Sequence, residues 1–191
     1  MNRATTGSPR YAQHFFEELR HKPLDRARCS APSPTSSALA QRSRTWHAGR
    51  GQIARDLGAR GLRITGIDLS SEMIAVARRL TPSVDFRVGS MLALDIAEES
   101  LAGITAFYPI VHLEPSELVV AFREFFRVLR PGGLVLLGEA IDLEFVFFER
   151  AVVEAALEEA GFAIEARIER APYTEVEHPS LRGYLLARRP A

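Results

Sequence analysis

From Gln52 to the end of the chain, short apolar segments alternate with segments of helical spacing, and that alternation leaves few folds open. Leu62–Ile67, Val84–Val88, Gly103–Tyr108 and the fully apolar Leu134–Leu137 read as strands. Gln52–Ala59, Ser71–Leu80, Pro115–Leu129 and Ala151–Ala160 read as helices. The first is ended by Gly61 and the last by Gly161, Pro115 sits near the first turn of the third, and Met73, Ile74 and Ala77 share the inward face of the second. Arg-Pro-Gly-Gly at 130–133 predicts a turn. Strands alternating with helices predict an α/β protein with a mostly parallel, doubly wound sheet, and Phe162–Ile168 with Leu181–Ala187 predict an antiparallel pair that closes it.

The 191 residues form most simply one domain, large enough to bury a core. Formal net charge is zero, which argues against nucleic-acid or anionic-membrane binding through bulk electrostatics. The single cysteine, Cys29, cannot form an internal disulfide and fits a reducing cytoplasm. No apolar run approaches the length of a membrane span, Met1–Arg10 lacks the apolar core of a signal peptide, and no internal repeat is visible. Histidine, cysteine and carboxylate side chains show no metal-ligand spacing, so no metal is expected.

Upstream of Gln52 the text is different. Tyr11–His21 has helical spacing, with Tyr11, Phe15 and Leu19 on one face, and Lys22–Arg26 breaks it. From Cys29 to Arg50 there are five serines, two prolines, three arginines, no acidic residue and no apolar periodicity. Taken alone, that stretch is a flexible loop or linker.

The junction at 62–73, Leu-Arg-Ile-Thr-Gly-Ile-Asp-Leu-Ser-Ser-Glu-Met, carries the most chemistry. A strand ends in Asp68 and a helix starts almost at once. In an open α/β sheet ligands bind beyond the carboxyl ends of the strands, where a carboxylate can accept hydrogen bonds from both ribose hydroxyls. The plainer reading of Asp68 is an acid favoured by the N-terminal helix dipole. Gly49-Arg50-Gly51-Gln52 precedes the first clear helix and is either a ligand loop or a simple helix entry. Gly89-Ser90-Met91 leaves the next strand, where Ser90 can bond an adenine edge and Met91 can cover a ring, or else form a turn and a core methionine. Phe107-Tyr108-Pro109-Ile110-Val111-His112 leaves the strand after that. Tyr108 suits a pocket wall, and His112 is either a general base or a histidine satisfied at a helix entry.

Taken in order, Gly-Arg-Gly-Gln, Gly-Ile-Asp-Leu-Ser-x-x-Met, Gly-Ser-Met, Ala-Phe-Tyr and Arg-Val-Leu-Arg-Pro-Gly-Gly resemble the small bacterial class I S-adenosylmethionine-dependent methyltransferases, from about Tyr11 to Arg189. The resemblance implies a Rossmann-like seven-strand sheet with one antiparallel strand near the edge. It implies S-adenosylmethionine as cofactor and methyl transfer to a small molecule. Gly49 and Gly51 would pack against its methionine and ribose, and Asp68 would hold the ribose hydroxyls. Leu69 and Met73 would flank the adenine, with Ser90 and Met91 at its edge and Phe107 and Tyr108 near the methyl-donor end. Residues 1–28, with Tyr11, would form a helical lid on a domain spanning 29–191. A nicotinamide dinucleotide enzyme is the competing enzyme class, because Gly49-x-Gly51-x-x-Ala54 followed by Asp68 also satisfies that fingerprint. A non-catalytic relic or interaction module is the third reading.

The departures are concentrated in one place. Where the family has an apolar strand and then Asp/Glu-x-Gly-x-Gly-x-Gly, this chain has Thr45-Trp46-His47-Ala48-Gly49-Arg50-Gly51. The acid and the first glycine are missing, and the first strand, at about 38–48, is degraded. Gly138–Glu144 is also shorter than the acceptor-side insertion relatives usually carry. The pattern points to residues 29–48 being translated from a shifted reading frame. If the true frame starts one base earlier, each first base becomes a second base, and a second-position T specifies only apolar residues. Cys29 begins with T, as do TCN serines, so positions 29, 30, 33, 36 and 37 become apolar at amphipathic-helix spacing. Thr45-Trp46-His47-Ala48 becomes Asp-Leu-Ala-Cys with suitable GC-rich codons.

Overall fold

The structure is a computed structural model that describes residues 43–46, 51–59, 61–107, 110, 113–140, 148–173 and 181–191. The expected helix at Tyr11–His21 and the N-terminal lid lie outside those residues. The described elements run β1 (Ser43–Trp46), α1 (Gln52–Gly58), β2 (Ile64–Asp68), α2 (Ser71–Leu80), β3 (Asp85–Val88), β4 (Leu101–Phe107), α3 (Pro115–Val128), β5 (Leu129–Ala140), α4 (Arg150–Glu159), β6 (Ala163–Arg170) and β7 (Arg182–Arg188). The strands form one sheet in the order β3-β2-β1-β4-β5-β7-β6. β1 to β5 pair parallel to one another, and β7 runs antiparallel to both β5 and β6.

The helices form where apolar residues recur at helical spacing and where each end is satisfied. The Ser70 hydroxyl accepts the Met73 backbone N–H at 3.2 Å and so caps α2. At the start of α3, the Glu117 carboxylate reaches back to the Glu114 N–H at 2.8 Å, with Pro115 in the first turn. On one face of the sheet, Leu118, Phe122 and Phe125 of α3 and Val153 and Leu157 of α4 close over Ile104, Ala106, Val135, Leu137 and Leu185. Full burial of a Leu or Phe side chain is worth about 1.5–3 kcal/mol, so this face dominates the hydrophobic stabilisation. A smaller cluster of Ala54, Leu57, Ile64, Ile74, Ala77 and Phe86 joins α1 and α2 to β2 and β3.

Two segments differ from the sequence reading. Arg130–Gly133 is not a free turn but part of β5, where the pairing shifts between Leu101–Leu129 and Gly103–Leu134. Gly132 takes a φ of 78°, and the excursion is tied to the chain's far end: Gly132 N–H donates to Arg189 O and Arg189 N–H to Gly133 O, both at 2.9 Å. The second is β1. Ser-Arg-Thr-Trp carries no run of apolar residues, yet it lies in the middle of the sheet between β2 and β4. Ser43 occupies the position between Ile64 and Gly103, Arg44 that between Thr65 and Ile104, and Trp46 that between Ile67 and Ala106.

Candidate functional site

The carboxyl ends of the parallel strands define one edge of the sheet, and most of the described candidate residues sit along it. Asp68 closes β2 and is 6% exposed. Its Oδ1 accepts the Ser70 backbone N–H at 3.0 Å, which fixes the carboxylate against the turn into α2. Its backbone oxygen accepts the Gly89 N–H at 3.0 Å, which ties the end of β3 to the end of β2. Leu69, between Asp68 and the cap, projects into solvent at 75% exposure, and an apolar side chain held out beside a buried carboxylate is a ready-made wall for a flat ring. Met73 lies one turn into α2 and is partly buried. Beside it, the Glu72 carboxyl is held below its ordinary range, first by its own backbone N–H and then by the hydroxyls of Ser70 and Ser71. Ser70 Oγ donates to Glu72 at 2.9 Å while accepting from Met73, so the whole cap is hydrogen-bonded.

Gly51 stands immediately before α1 at a φ of 82°. A Cβ there would lie 2.6 Å from Cζ of Phe86, so the backbone is pressed onto the smaller core cluster. Gly49, Tyr108 and His112 lie outside the described residues. Ser90 and Met91 follow β3 in a tight turn: the Ser90 hydroxyl accepts the Leu92 N–H at 3.2 Å, and the Ser90 carbonyl the Ala93 N–H at 3.3 Å. Met91 packs against the large core cluster, so the core reading of that methionine has physical support. Phe107 ends β4, edge-on to Tyr184 at 6.3 Å, and so close to Gly138 that a Cβ there would lie 2.6 Å from its ring.

The edge thus gathers Gly51, Asp68, Leu69, Met73, Ser90 and Phe107 from four successive strand ends. Two features escaped the sequence reading. One is the Phe107–Gly138–Tyr184 contact, made across β4, β5 and β7. The other is the grip of α3 on the segment after β3. Arg127 donates to Leu94 O and Ile96 O, each at 2.9 Å, and also to both oxygens of Glu124, at 2.8 and 2.9 Å. Glu124 in turn accepts the Leu94 N–H at 2.8 Å. Arg127 holds the Glu124 carboxyl below its usual range. The only sequence signal was Arg127 itself, within Arg-Val-Leu-Arg-Pro-Gly-Gly.

Residues 47–133, which contain most of this edge, match the family model of a methyltransferase domain. That segment, less than half of the chain, is what makes the protein similar to S-adenosylmethionine-dependent methyltransferases. A demethylmenaquinone methyltransferase of Chlorobaculum parvum is 34% identical over 92 residues, 48% of this chain and 37% of the relative. The match therefore spans little more than a third of the length of that curated methyltransferase. Among solved structures, the phosphoethanolamine N-methyltransferase 2 of Haemonchus contortus, in complex with phosphomonomethylethanolamine and S-adenosylhomocysteine, superposes with a TM-score of 0.74. It is 17% identical and covers 93% of this chain and 57% of its own. The [4+2]-cyclase SpnF gives the same TM-score at 20% identity over 90% of this chain and 80% of its own. At such identities the likeness is one of fold, and the methyltransferase fold evidently houses more than one chemistry.

Proposed function

We propose that this chain is a class I methyltransferase domain that takes S-adenosylmethionine at the carboxyl edge of its sheet and transfers the methyl group to a small molecule. The observation that carries the reading is the placement of Asp68: a buried, oriented carboxylate at the end of β2, flanked by exposed Leu69. These residues fit a nucleoside. The carboxylate accepts the ribose hydroxyls, Leu69 and Met73 border the adenine, Ser90 and Met91 stand at its edge, and Gly49 and Gly51 lie along ribose and methionine. Phe107 and Tyr108 line the methyl-donor end, Tyr11 and residues 1–28 form the lid, and His112 is the candidate base. The cofactor supplies an already activated methyl group. The protein's task is to hold donor and acceptor in line and exclude water, so an enzyme of this kind does not depend on a strong base. A small-molecule acceptor agrees with the quinone methyltransferase name of the Chlorobaculum relative. A cytoplasmic setting, without nucleic-acid or membrane partners, agrees with the neutral charge and the lone cysteine. The match over 47–133 contains the whole Gly49–Ala54 and Asp68 fingerprint, which counts against the dinucleotide reading.

Calorimetry with S-adenosylhomocysteine tests this. Saturable binding is expected, and Asp68→Asn, which keeps the shape and the acceptor for Ser70, is expected to weaken it roughly ten- to hundred-fold, the value of a charge-assisted hydrogen bond. No heat at millimolar ligand would leave the non-catalytic relic as the better reading.

Activity in this chain is impaired, on the same proposal, because the first strand is degraded by a shifted reading frame over residues 29–48. A parallel strand buried on both faces is normally a near-continuous apolar run. Ser-Arg-Thr-Trp is the opposite, although its neighbours Ile67, Ile104 and Ala106 belong to the buried core. Two codons leave little freedom. Trp46 is encoded by TGG and His47 by CAT or CAC; read one base earlier they give Leu, Val or Met, then Ala. Thr45 gives Asp when the third base of codon 44 is G. A GC-rich gene supports that base, since of 24 Lys and Arg residues only Lys22 is lysine. Sequencing the gene is expected to show TCN serine codons at 30, 33, 36, 37 and 43. AGY codons at 30, 33 and 36 would sink the frameshift.

A further inference from the structure

The segment between β3 and β4 runs from Gly89 to Ser100 without a helix or a strand of its own, beyond an isolated bridge between Ser90 and Ala93. A dozen residues of irregular backbone hold one shape only if their polar groups are tied down. Here the ties are concentrated at two ends. At the start, Gly89 N–H is bonded to Asp68 O. Four residues beyond Ser90, Leu94 is 8% exposed in the core, and both of its backbone groups are bonded to the Glu124–Arg127 pair on the last turns of α3. The exit is bonded to α3 as well, with Glu99 N–H on Arg127 O and Ser100 N–H on Val128 O, both at 2.9 Å.

The Ser90–Ala93 turn is therefore suspended between the backbone of Asp68 and the guanidinium of Arg127. We propose that Arg127, oriented by Glu124, is a positioning residue for the adenine subsite: it holds the turn carrying Ser90 and Met91 at a fixed distance from Asp68, and so sets affinity and base selectivity. This rests on the cofactor reading of the site under Proposed function. The chemistry suits arginine and no other residue. A planar fork with five donors can serve two carbonyls, Leu94 O and Ile96 O, and a bidentate carboxylate together. Lysine, a point charge with three donors, cannot span all four acceptors. Neither Arg127 nor Glu124 comes from a strand end at the site; they act through the turn.

The experiment compares the unsubstituted chain with Arg127→Lys and with the milder Glu124→Gln. It measures calorimetric affinity for S-adenosylhomocysteine and for S-inosylhomocysteine, which differs only at the base edge, and hydrogen exchange over residues 90–97. Arg127→Lys is expected to lose amide protection at Leu94 and its neighbours and to weaken S-adenosylhomocysteine about ten-fold, the worth of one or two charge-assisted bonds. The inosyl analogue, already denied its contact at the base edge, is expected to lose less, so the discrimination between the two ligands shrinks. A general loosening of the domain would weaken both ligands equally, and that result overturns the proposal. Lost protection with S-adenosylhomocysteine affinity unchanged also overturns it and leaves the cofactor reading standing. No heat with the unsubstituted chain sinks the cofactor reading itself, and the positioning role with it. If Arg127→Lys does not fold, Glu124→Gln decides, with the same pattern at smaller amplitude.

Discussion

Gly51→Ala is expected to destabilise the protein by about 2–5 kcal/mol, the sum of a left-handed backbone penalty of about 1–2 kcal/mol and an overpacking penalty of about 1–3 kcal/mol. The first term comes from the φ of 82°, which L side chains rarely adopt. The second comes from Phe86. The ring whose Cζ would lie 2.6 Å from the new methyl is 1% exposed, at the centre of the cluster joining α1, α2, β2 and β3. The ring cannot swing into solvent, so α1 must shift. For a domain of this size each kcal/mol moves the melting midpoint by roughly 2–4 °C, and thermal unfolding followed by circular dichroism reads the effect directly. Gly61 supplies the internal control. It has nearly the same φ, 83°, but nothing lies within 4 Å of a Cβ built there. Gly61→Ala is therefore expected to cost only the backbone term, about 1–2 kcal/mol. Equal losses at the two glycines would show that contact with Phe86 plays no part.

That contrast illustrates what a sequence does and does not disclose. Gly51 and Gly61 are identical as letters at the two ends of one short helix, and only the neighbour 35 residues away separates them. Signals that act within a turn or two were legible. The Asp68-Leu69-Ser70 junction, the inward face of Ile74 and Ala77 on α2, the Pro115 start of α3, and the antiparallel β6–β7 pair all arise from local periodicity and helix-start chemistry. Signals that depend on distant partners were not. Arg130–Gly133 spells a turn by composition, and it becomes part of β5 because Arg188 and Arg189 bond to it from the far end of the chain. Arg127 is an unremarkable helical arginine until Leu94 and Ile96, more than 30 residues away, fold back under it. Phe107 reads as a strand-end aromatic, but its setting is decided by Gly138 and Tyr184 on β5 and β7.

The candidate site follows the same line. The candidate residues from Asp68 to Ser90 come from one strand–helix junction and one turn, so they could be found by spacing. An N-methyltransferase and a [4+2]-cyclase share this fold at 20% identity or less, so the chemistry has to be argued from the site and not from the fold.

Rewriting β1 is expected to move both stability and binding in the favourable direction. Position 43 faces Ile64 and Gly103 in register, position 44 Thr65 and Ile104, and position 46 Ile67 and Ala106. These are central positions in a parallel sheet, and strands in such places are normally near-continuous aliphatic runs. The variant Ser43→Val, Arg44→Ala, Thr45→Asp, Trp46→Leu, His47→Ala matches the alternative frame. Replacing two polar residues by aliphatic ones in this central strand is expected to add about 2–4 kcal/mol, a rise of roughly 4–16 °C in melting midpoint. The restored acid at 45 stands on β1, one residue before its carboxyl end and just ahead of Gly49 and Gly51 in sequence, so on the proposed function S-adenosylhomocysteine is expected to bind at least about ten-fold more tightly, the value of one charge-assisted hydrogen bond. Thr45→Asp alone separates the terms: it is expected to raise affinity with no gain in midpoint. A fall in midpoint for the five-fold variant would mean that Ser-Arg-Thr-Trp is the strand this sheet evolved to hold, and that residues 29–48 are a true divergence of the family rather than a misread copy of it.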